Sequence, residues 1–224
     1  MVVLWTFLVL LGLIAGGMPI AFALSLVAIG LLALNDISLL VAVQRLYQGV
    51  NGFPLLAVPL FILAGSLMNH SGISRRLVDF ARTIVGQLRG GLAAVNIVTS
   101  MFFAGMSGTS MSDTAAVGSM LIPQMVKRGY SRAFSAAVTA SSSTIGIIIP
   151  PSVPMVLLAA FTGTSTGALF AAGLIPGLML GVGLVLAAWL ISRSRGYPVE
   201  APFKLVPMLI AFWHALPALL MPVI

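Results

Sequence analysis

Apolar residues fill most of this chain, and its few polar positions divide it into segments. Residues 53 to 69 form an apolar run that predicts one membrane-spanning helix, since about 20 such residues cross a hydrocarbon core. Residues 2 to 34 are long for a single span, and Gly16-Gly17-Met18-Pro19 interrupts them. One tilted, kinked helix and two short helices both fit that pattern. Between them, Ile37, Leu40, Val43 and Tyr47 recur at helical spacing and predict an amphipathic interfacial helix in 35 to 52. Residues 133 to 160 predict one broken span. The neutral turn Thr162 to Gly167 follows, and residues 168 to 192 return. Gly173, Gly177, Gly181 and Gly183, with Pro176, predict close packing and a bend in that return helix. The last apolar run follows Pro202 to Pro207 and is marginal as a span.

Two interruptions fit neither a span nor a loop. The first is Gly105-Met106-Ser107-Gly108-Thr109-Ser110-Met111-Ser112-Asp113. The second is Ser141-Ser142-Ser143-Thr144-Ile145-Gly146-Ile147-Ile148-Ile149-Pro150-Pro151-Ser152. Each places hydroxyl residues, glycines and a helix breaker inside apolar sequence. A bilayer tolerates non-helical backbone only where protein buries it or it lines a cavity. Two such breaks predict a polar site at membrane depth built from broken helices.

Composition supports a polytopic all-α membrane protein. Of 224 residues, 60% are hydrophobic and 7% charged, against about 25% charged in a soluble domain. The mean hydropathy is +1.16. No cysteine is present, which excludes disulfides and thiolate metal sites, and His70 and His214 are too far apart for a zinc motif. The N-terminus lacks the basic region of a cleavable signal peptide.

The net charge of +7 is no nucleic-acid footprint, because it sits in short loops between apolar runs. Its clusters are Arg75, Arg76, Arg82 and Arg89; Lys127, Arg128 and Arg132; and Arg193, Arg195 and Lys204. All three are expected on the cytoplasmic side, so the chain between any two crosses an even number of times. Gly90 to Val126 offers only about 37 residues, where two spans need about 40 plus a turn. A re-entrant hairpin that turns at Gly105 to Ser112 and leaves through 113 to 126 satisfies both limits. A single kinked span is the plainer alternative.

Sodium, a hard cation, favours hydroxyl and carbonyl oxygens. Ser107, Thr109 and Ser110 supply hydroxyls, and Pro150 and Pro151 free carbonyls near Gly146 and Ile147. Gly105, Gly108, Ser112 and Asp113 support the tip, and Ser143, Thr144 and Pro150 belong to the broken helix. Asp113 reads either as the N-cap of the returning helix, a role Ser112 also fits, or as a carboxylate tuning a cation site. Ser141 and Ser142 read as packing residues ahead of ligands, and Ser143 reads equally as either. Gly105-Met106-Ser107-Gly108 also matches the GxSG of rhomboid intramembrane proteases, an alternative reading as a serine hydrolase that requires His70 or His214 as base.

Four blocks in order resemble the large membrane subunit of tripartite ATP-independent periplasmic (TRAP) transporters, the DctM-like family. They are Pro54 to Phe61, Ser107 to Ala116, Lys127-Arg128-Gly129-Tyr130 and Ser143 to Ser152, within a likeness that runs from about Gly12 onward. The resemblance implies an elevator-type transporter of two inverted repeats, each with a re-entrant hairpin and a broken helix. It also implies sodium-driven import of organic acids: C4-dicarboxylates, sialic acid or other sugar acids. The implied partners are a small four-helix membrane subunit and a periplasmic substrate-binding protein, in the bacterial inner membrane. No cofactor beyond the coupling sodium ion is implied. By the resemblance, one sodium site uses Ser107, Thr109 and Ser110 with Gly146, Ile149 and Pro151. Ile147 stands where the family commonly has proline.

Family members are roughly twice this length, so the expectation is a first half. Its domains are expected to be scaffold helices at 1–89, the hairpin and broken helix at 90–160, a return helix at 161–192, and a linker with a further membrane segment at 193–224. A truncated scaffold that does not transport is the third reading.

Overall fold

The computed structural model describes residues 2–51, 53–200, 202 and 204–220. The side chains of Pro54 to Ala57, Phe61 and His70, within or beside the first block of resemblance, lie outside the described residues. Among the described residues every regular element is helical, and the one extended pairing is an isolated bridge between Arg89 and Val199. The chain forms two compact units, residues 1–52 and 53–224.

The first unit holds α1 (Val2–Ala15), α2 (Ile20–Leu34) and α3 (Leu40–Val50). Of the two arrangements open to residues 2 to 34, the structure takes two helices. Gly17 adopts φ +87° after α1, and Pro19 then starts α2. The α2 end is closed by Asn35, whose side-chain amide donates to Leu31 O at 2.7 Å. α1 and α2 expose Trp5, Phe7, Phe22 and Leu26. A helix apolar on all sides belongs in lipid or against protein. The expected helix in 35 to 52 is α3, with Ile37 just ahead of it.

The second unit contains α4 (Phe53–His70), α5 (Ile73–Val85), α6 (Gly91–Ser107), α7 (Ser110–Lys127), α8 (Arg132–Ser143), α9 (Val153–Thr162), α10 (Thr166–Ser194) and α11 (Leu205–Leu219). α6 is its axis, packed against α4, α5, α7, α8 and α10. Its Leu92, Val95, Ile97 and Phe103 meet Leu121 and Met125 of α7 and Ile145 beyond α8 in one core. α5 is amphipathic: Leu77, Val78, Phe80 and Ala81 are buried, while Arg75, Arg76 and Asp79 face outward. It packs on both α6 and α11.

Among the described residues, four helices begin on a hydroxyl cap. Thr109, Ser131, Ser152 and Ser165 each accept from the backbone N–H three residues on, at Ser112, Phe134, Met155 and Ala168. Such a cap satisfies one of the orphan donors of a helix start.

α10, at 29 residues, is the one described helix long and apolar enough to cross a membrane by itself. Its buried stripe is Gly173, Gly177, Gly181, Ala188 and Ser192. A Cβ on Gly173 would lie 2.7 Å from Ile148 O and would collide with the Met155 methyl, and one on Gly177 would lie 2.6 Å from Ile149 Cγ1. The missing side chains let α10 close against the segment after α8. Gly183 faces open space. Gly183→Ala should therefore raise stability by about 0.5–1 kcal/mol through helix propensity. Gly173→Ala should lower it by about 1–3 kcal/mol, because a backbone oxygen must give way. Thermal unfolding of the two variants in detergent reads the opposite signs directly.

Candidate functional site

The two polar interruptions meet. α6 and α7 form a helical hairpin whose connection is only Gly108 and Thr109. Gly108 ends α6 at φ +60°, and Thr109 returns to extended backbone and caps α7 at once. The expected turn of Gly105 to Ser112 is thus much tighter than its glycines and serines suggest. Gly105 lies inside α6 and Ser112 inside α7, because the left-handed glycine and the cap leave nothing else to unwind.

The second interruption follows α8. Thr144–Ile147 tightens into a 3-10 turn, the chain passes a cis Pro150-Pro151 bond, and α9 resumes at Val153. Ser152 stitches this gap. Its hydroxyl donates to Ile147 O at 2.7 Å and accepts from Met155 N–H at 3.3 Å. The Ile147 carbonyl, expected to be free, is therefore taken.

The hairpin tip sits directly on the gap. Val153 N–H donates to Gly108 O at 3.1 Å. A Cβ on Gly108 would lie 2.8 Å from Pro151 O, and one on Gly146 would lie 3.5 Å from Thr109 O and 3.8 Å from Ser110 Cα. So the structure brings Gly108, Thr109 and Ser110 against Gly146 and Pro151. Ser107 is buried and donates to Thr109 O at 3.3 Å. Ile149 turns its side chain toward Gly177 of α10. Thr144 is exposed and donates to Ser141 O, and Pro150 is half-buried.

Asp113 is not the helix cap. Thr109 holds that position, and Ser112 supplies the capped N–H. The Asp113 carboxyl is instead fully buried beside the hydroxyls of Ser143 and Ser100. Both hydroxyls lie close enough to act on the carboxyl, but neither forms a well-aligned hydrogen bond with its oxygens, and the Ser143 Oγ makes none elsewhere. Thr99 Oγ1, one residue from Ser100 on α6, is likewise buried and unpartnered. A cluster of buried oxygens beside a buried carboxyl is costly unless it is completed by a proton or a cation.

A ladder of side-chain bonds leads away from this pocket between α6 and α8. Ser100 and Ser142 hydroxyls lie 3.1 Å apart, and Ser142 Oγ donates to Asn96 Oδ1 at 3.4 Å. Asn96 Nδ2 then donates to Thr139 Oγ1 at 2.8 Å, and Thr139 donates to Ser135 O. Sequence reading missed Thr99, Ser100, Asn96 and Thr139. It also missed Gly65 of α4, where a Cβ would lie 3.2 Å from Met106 O. The usable signal was single polar residues in the Gly91–Ser107 run, spaced three or four apart as on one helix face.

The fold and the site define an all-helical protein whose polar hairpin tip packs against the break between α8 and α9. A family model described as "Tripartite ATP-independent periplasmic transporter, DctM component" matches residues 7–224. The chain belongs to this family. It is 43% identical to the sialic acid TRAP transporter large permease protein SiaM of Vibrio cholerae over 84% of this chain and 44% of that protein. The C4-dicarboxylate TRAP transporter large permease protein DctM of the same organism is 41% identical over 91% of this chain and 45% of its own length. The Escherichia coli 2,3-diketo-L-gulonate TRAP transporter large permease protein YiaN is 38% identical over 96% and 51% respectively. The chain thus spans about half the length of these relatives. These relatives are named as permease proteins, and the hydroxyl of Ser107 donates to Thr109 O at 3.3 Å; of the two candidate bases, the His70 side chain lies outside the described residues.

Gly108 carries the closest approach at the site, so it yields the sharpest test. Gly108→Ala adds a left-handed strain of about 1–2 kcal/mol and drives a methyl at Pro151 O. Gly129 also has positive φ (+89°) but open space around it. Gly129→Ala should show the conformational strain alone, and a difference in thermal midpoint between the two variants measures the tip-to-gap contact.

Proposed function

We propose that this chain is the first half of a sodium-coupled permease that imports organic acids across a bacterial inner membrane. The reading rests chiefly on one observation: the hairpin tip is seated in the gap of the interrupted helix, beside a buried carboxyl and hydroxyls that lack well-aligned hydrogen bonds. Those oxygens suit a small hard cation. Ser107, Thr109, Ser110, Gly146, Ile149 and Pro151 supply the tip and gap oxygens, and Asp113 balances the ion's charge from behind.

The dimensions agree with a re-entrant hairpin. Legs of 17 and 18 residues reach about 25–27 Å, just short of a hydrocarbon core of about 30 Å. Sodium binding closes the tip on the gap. The body of residues 90–160 then moves as an elevator against scaffold helices in 1–89. The substrate class is a small organic acid of the kind named for the relatives, delivered by a periplasmic binding protein and supported by a small membrane subunit.

The test is thermal stability of the purified chain in detergent, with sodium titrated against potassium at constant ionic strength. A ligand specific to the folded state adds about 1.4 kcal/mol at ten times its dissociation constant. A sodium-specific rise is expected, weakened in Ser110→Ala and abolished in Asp113→Asn. Equal midpoints in the two salts at all concentrations would remove the sodium assignment.

A further inference from the structure

The chain enters the bundle of α6 to α10 through residues 86–91 and leaves it through residues 195–200, and these two segments are fastened to each other. Gly90 N–H donates to Pro198 O at 3.1 Å, and Glu200 N–H donates to Gly86 O at 3.0 Å. Arg89 and Val199 form the antiparallel bridge between them. The approach is close enough to require glycine. Gly90 has φ +76°, and a Cβ there would collide with the Ser192 side chain. A Cβ on Gly91 would lie 2.5 Å from Gly86 O.

Side chains extend the fastening to the hairpin. Glu200 is 6% exposed and lies between two guanidinium groups, 3.5 Å from Arg128 Nη1 and 4.0 Å from Arg82 Nε. Arg82 of α5 also donates from Nη2 to Gln124 Oε1 of α7 at 2.8 Å. Tyr197 stacks on Tyr130 with centroids 4.3 Å apart, and its hydroxyl accepts from Ser131 N–H at 3.3 Å. Arg195 lies over the Phe134 ring at 5.5 Å. One short strap therefore holds the end of α5, the end of α7 and the start of α8. Ten of the eleven basic residues lie in 75–132 and 193–204, where the acids are Asp79, Asp113 and Glu200. Asp113 is buried near the hairpin tip, Asp79 faces outward on α5, and Glu200 sits between the arginines. Without its carboxylate, Arg82 and Arg128 face each other uncompensated.

We propose that Glu200 is a positioning residue that clamps the basic end of the α6–α7 hairpin, so that opening is confined to the Gly108–Thr109 end. The inference takes that tip as the gated end from the sodium reading above. Two helices joined by a two-residue turn can splay only at their far end, while the joined tip can lift off the gap only as a unit. The strap closes one end through a chain segment from outside the hairpin, which leaves the tip as the end free to respond to an ion.

The chain has no cysteine, so an engineered pair reports cleanly. Arg89→Cys with Val199→Cys places thiols on facing residues of an antiparallel bridge, within disulfide reach. The full chain in detergent should form this disulfide rapidly under mild oxidation, with or without sodium. Adding Glu200→Gln should slow its formation by about tenfold and raise hydrogen exchange in peptides 86–91 and 124–131 by about the same factor. Exchange in 105–114 should not change. Once formed, the disulfide should restore protection of 124–131 in the Glu200→Gln background, and Glu200→Asp should restore part of it unaided. Unchanged exchange at 124–131 in Glu200→Gln would overturn the proposal. So would a general rise across α10 that the disulfide does not reverse, because that marks a role in folding alone. If sodium fails to stabilise the chain while these outcomes hold, the sodium reading falls and the clamp stands.

Discussion

The bond from Val153 N–H to Gly108 O is the contact on which the rest of the arrangement depends. A helix that stops inside an apolar body leaves donors and acceptors without partners, and each buried orphan costs about 1–3 kcal/mol. This chain stops helices twice in the same region. It closes the ends against each other rather than against water. Thr109 caps α7, Ser152 caps α9 and ties back to Ile147, and the tip carbonyl takes the first amide of α9. Each interruption is tolerable because the other is there. What remains without a well-aligned hydrogen bond in this region is a short set of side-chain oxygens around Asp113 and Ser143.

Close helix approach makes that mutual closure possible. Gly173 and Gly177 bring α10 onto the segment that carries Ile148 and Ile149, and Gly65 brings α4 onto Met106 and Ser107. Apolar packing alone gives helices in lipid little reason to choose one register, since tails are as apolar as leucine. The Asn96, Thr139, Ser142 and Ser100 ladder supplies direction. It fixes α6 against α8 at fully buried positions and so sets where the tip falls relative to the gap.

Charge organises the opposite end. The three basic clusters, separate in sequence, meet where Glu200 pairs with Arg82 and Arg128 and where Arg89 faces Val199. Membership of the DctM family rests on the match over residues 7–224.

The sequence by itself determined the all-helical class, the order of the helices other than α5, and the location of both interruptions. Apolar runs, basic clusters, and glycines or prolines beside hydroxyls are local signals set by the bilayer and by backbone sterics. It also marked Ser107, Thr109, Ser110, Gly146 and Pro151, because hydroxyls and breakers stand out in apolar text. Tertiary structure decided what lies against what. The tip shrank to Gly108 and Thr109 because a cap forms wherever a hydroxyl meets an exposed N–H, and several candidates were adjacent. Asp113 became a buried partner of the Ser143 region rather than a cap, since Thr109 had already taken the cap position. Asn96 and Thr139 went unnoticed because each is one polar residue in an apolar run, and its partner lies 43 residues away. Glu200 acquired its role only when two arginines, 118 and 72 positions before it, were folded beside it. A side chain's type and local spacing are written in the sequence, but the partner that gives it a role is chosen by packing across the fold.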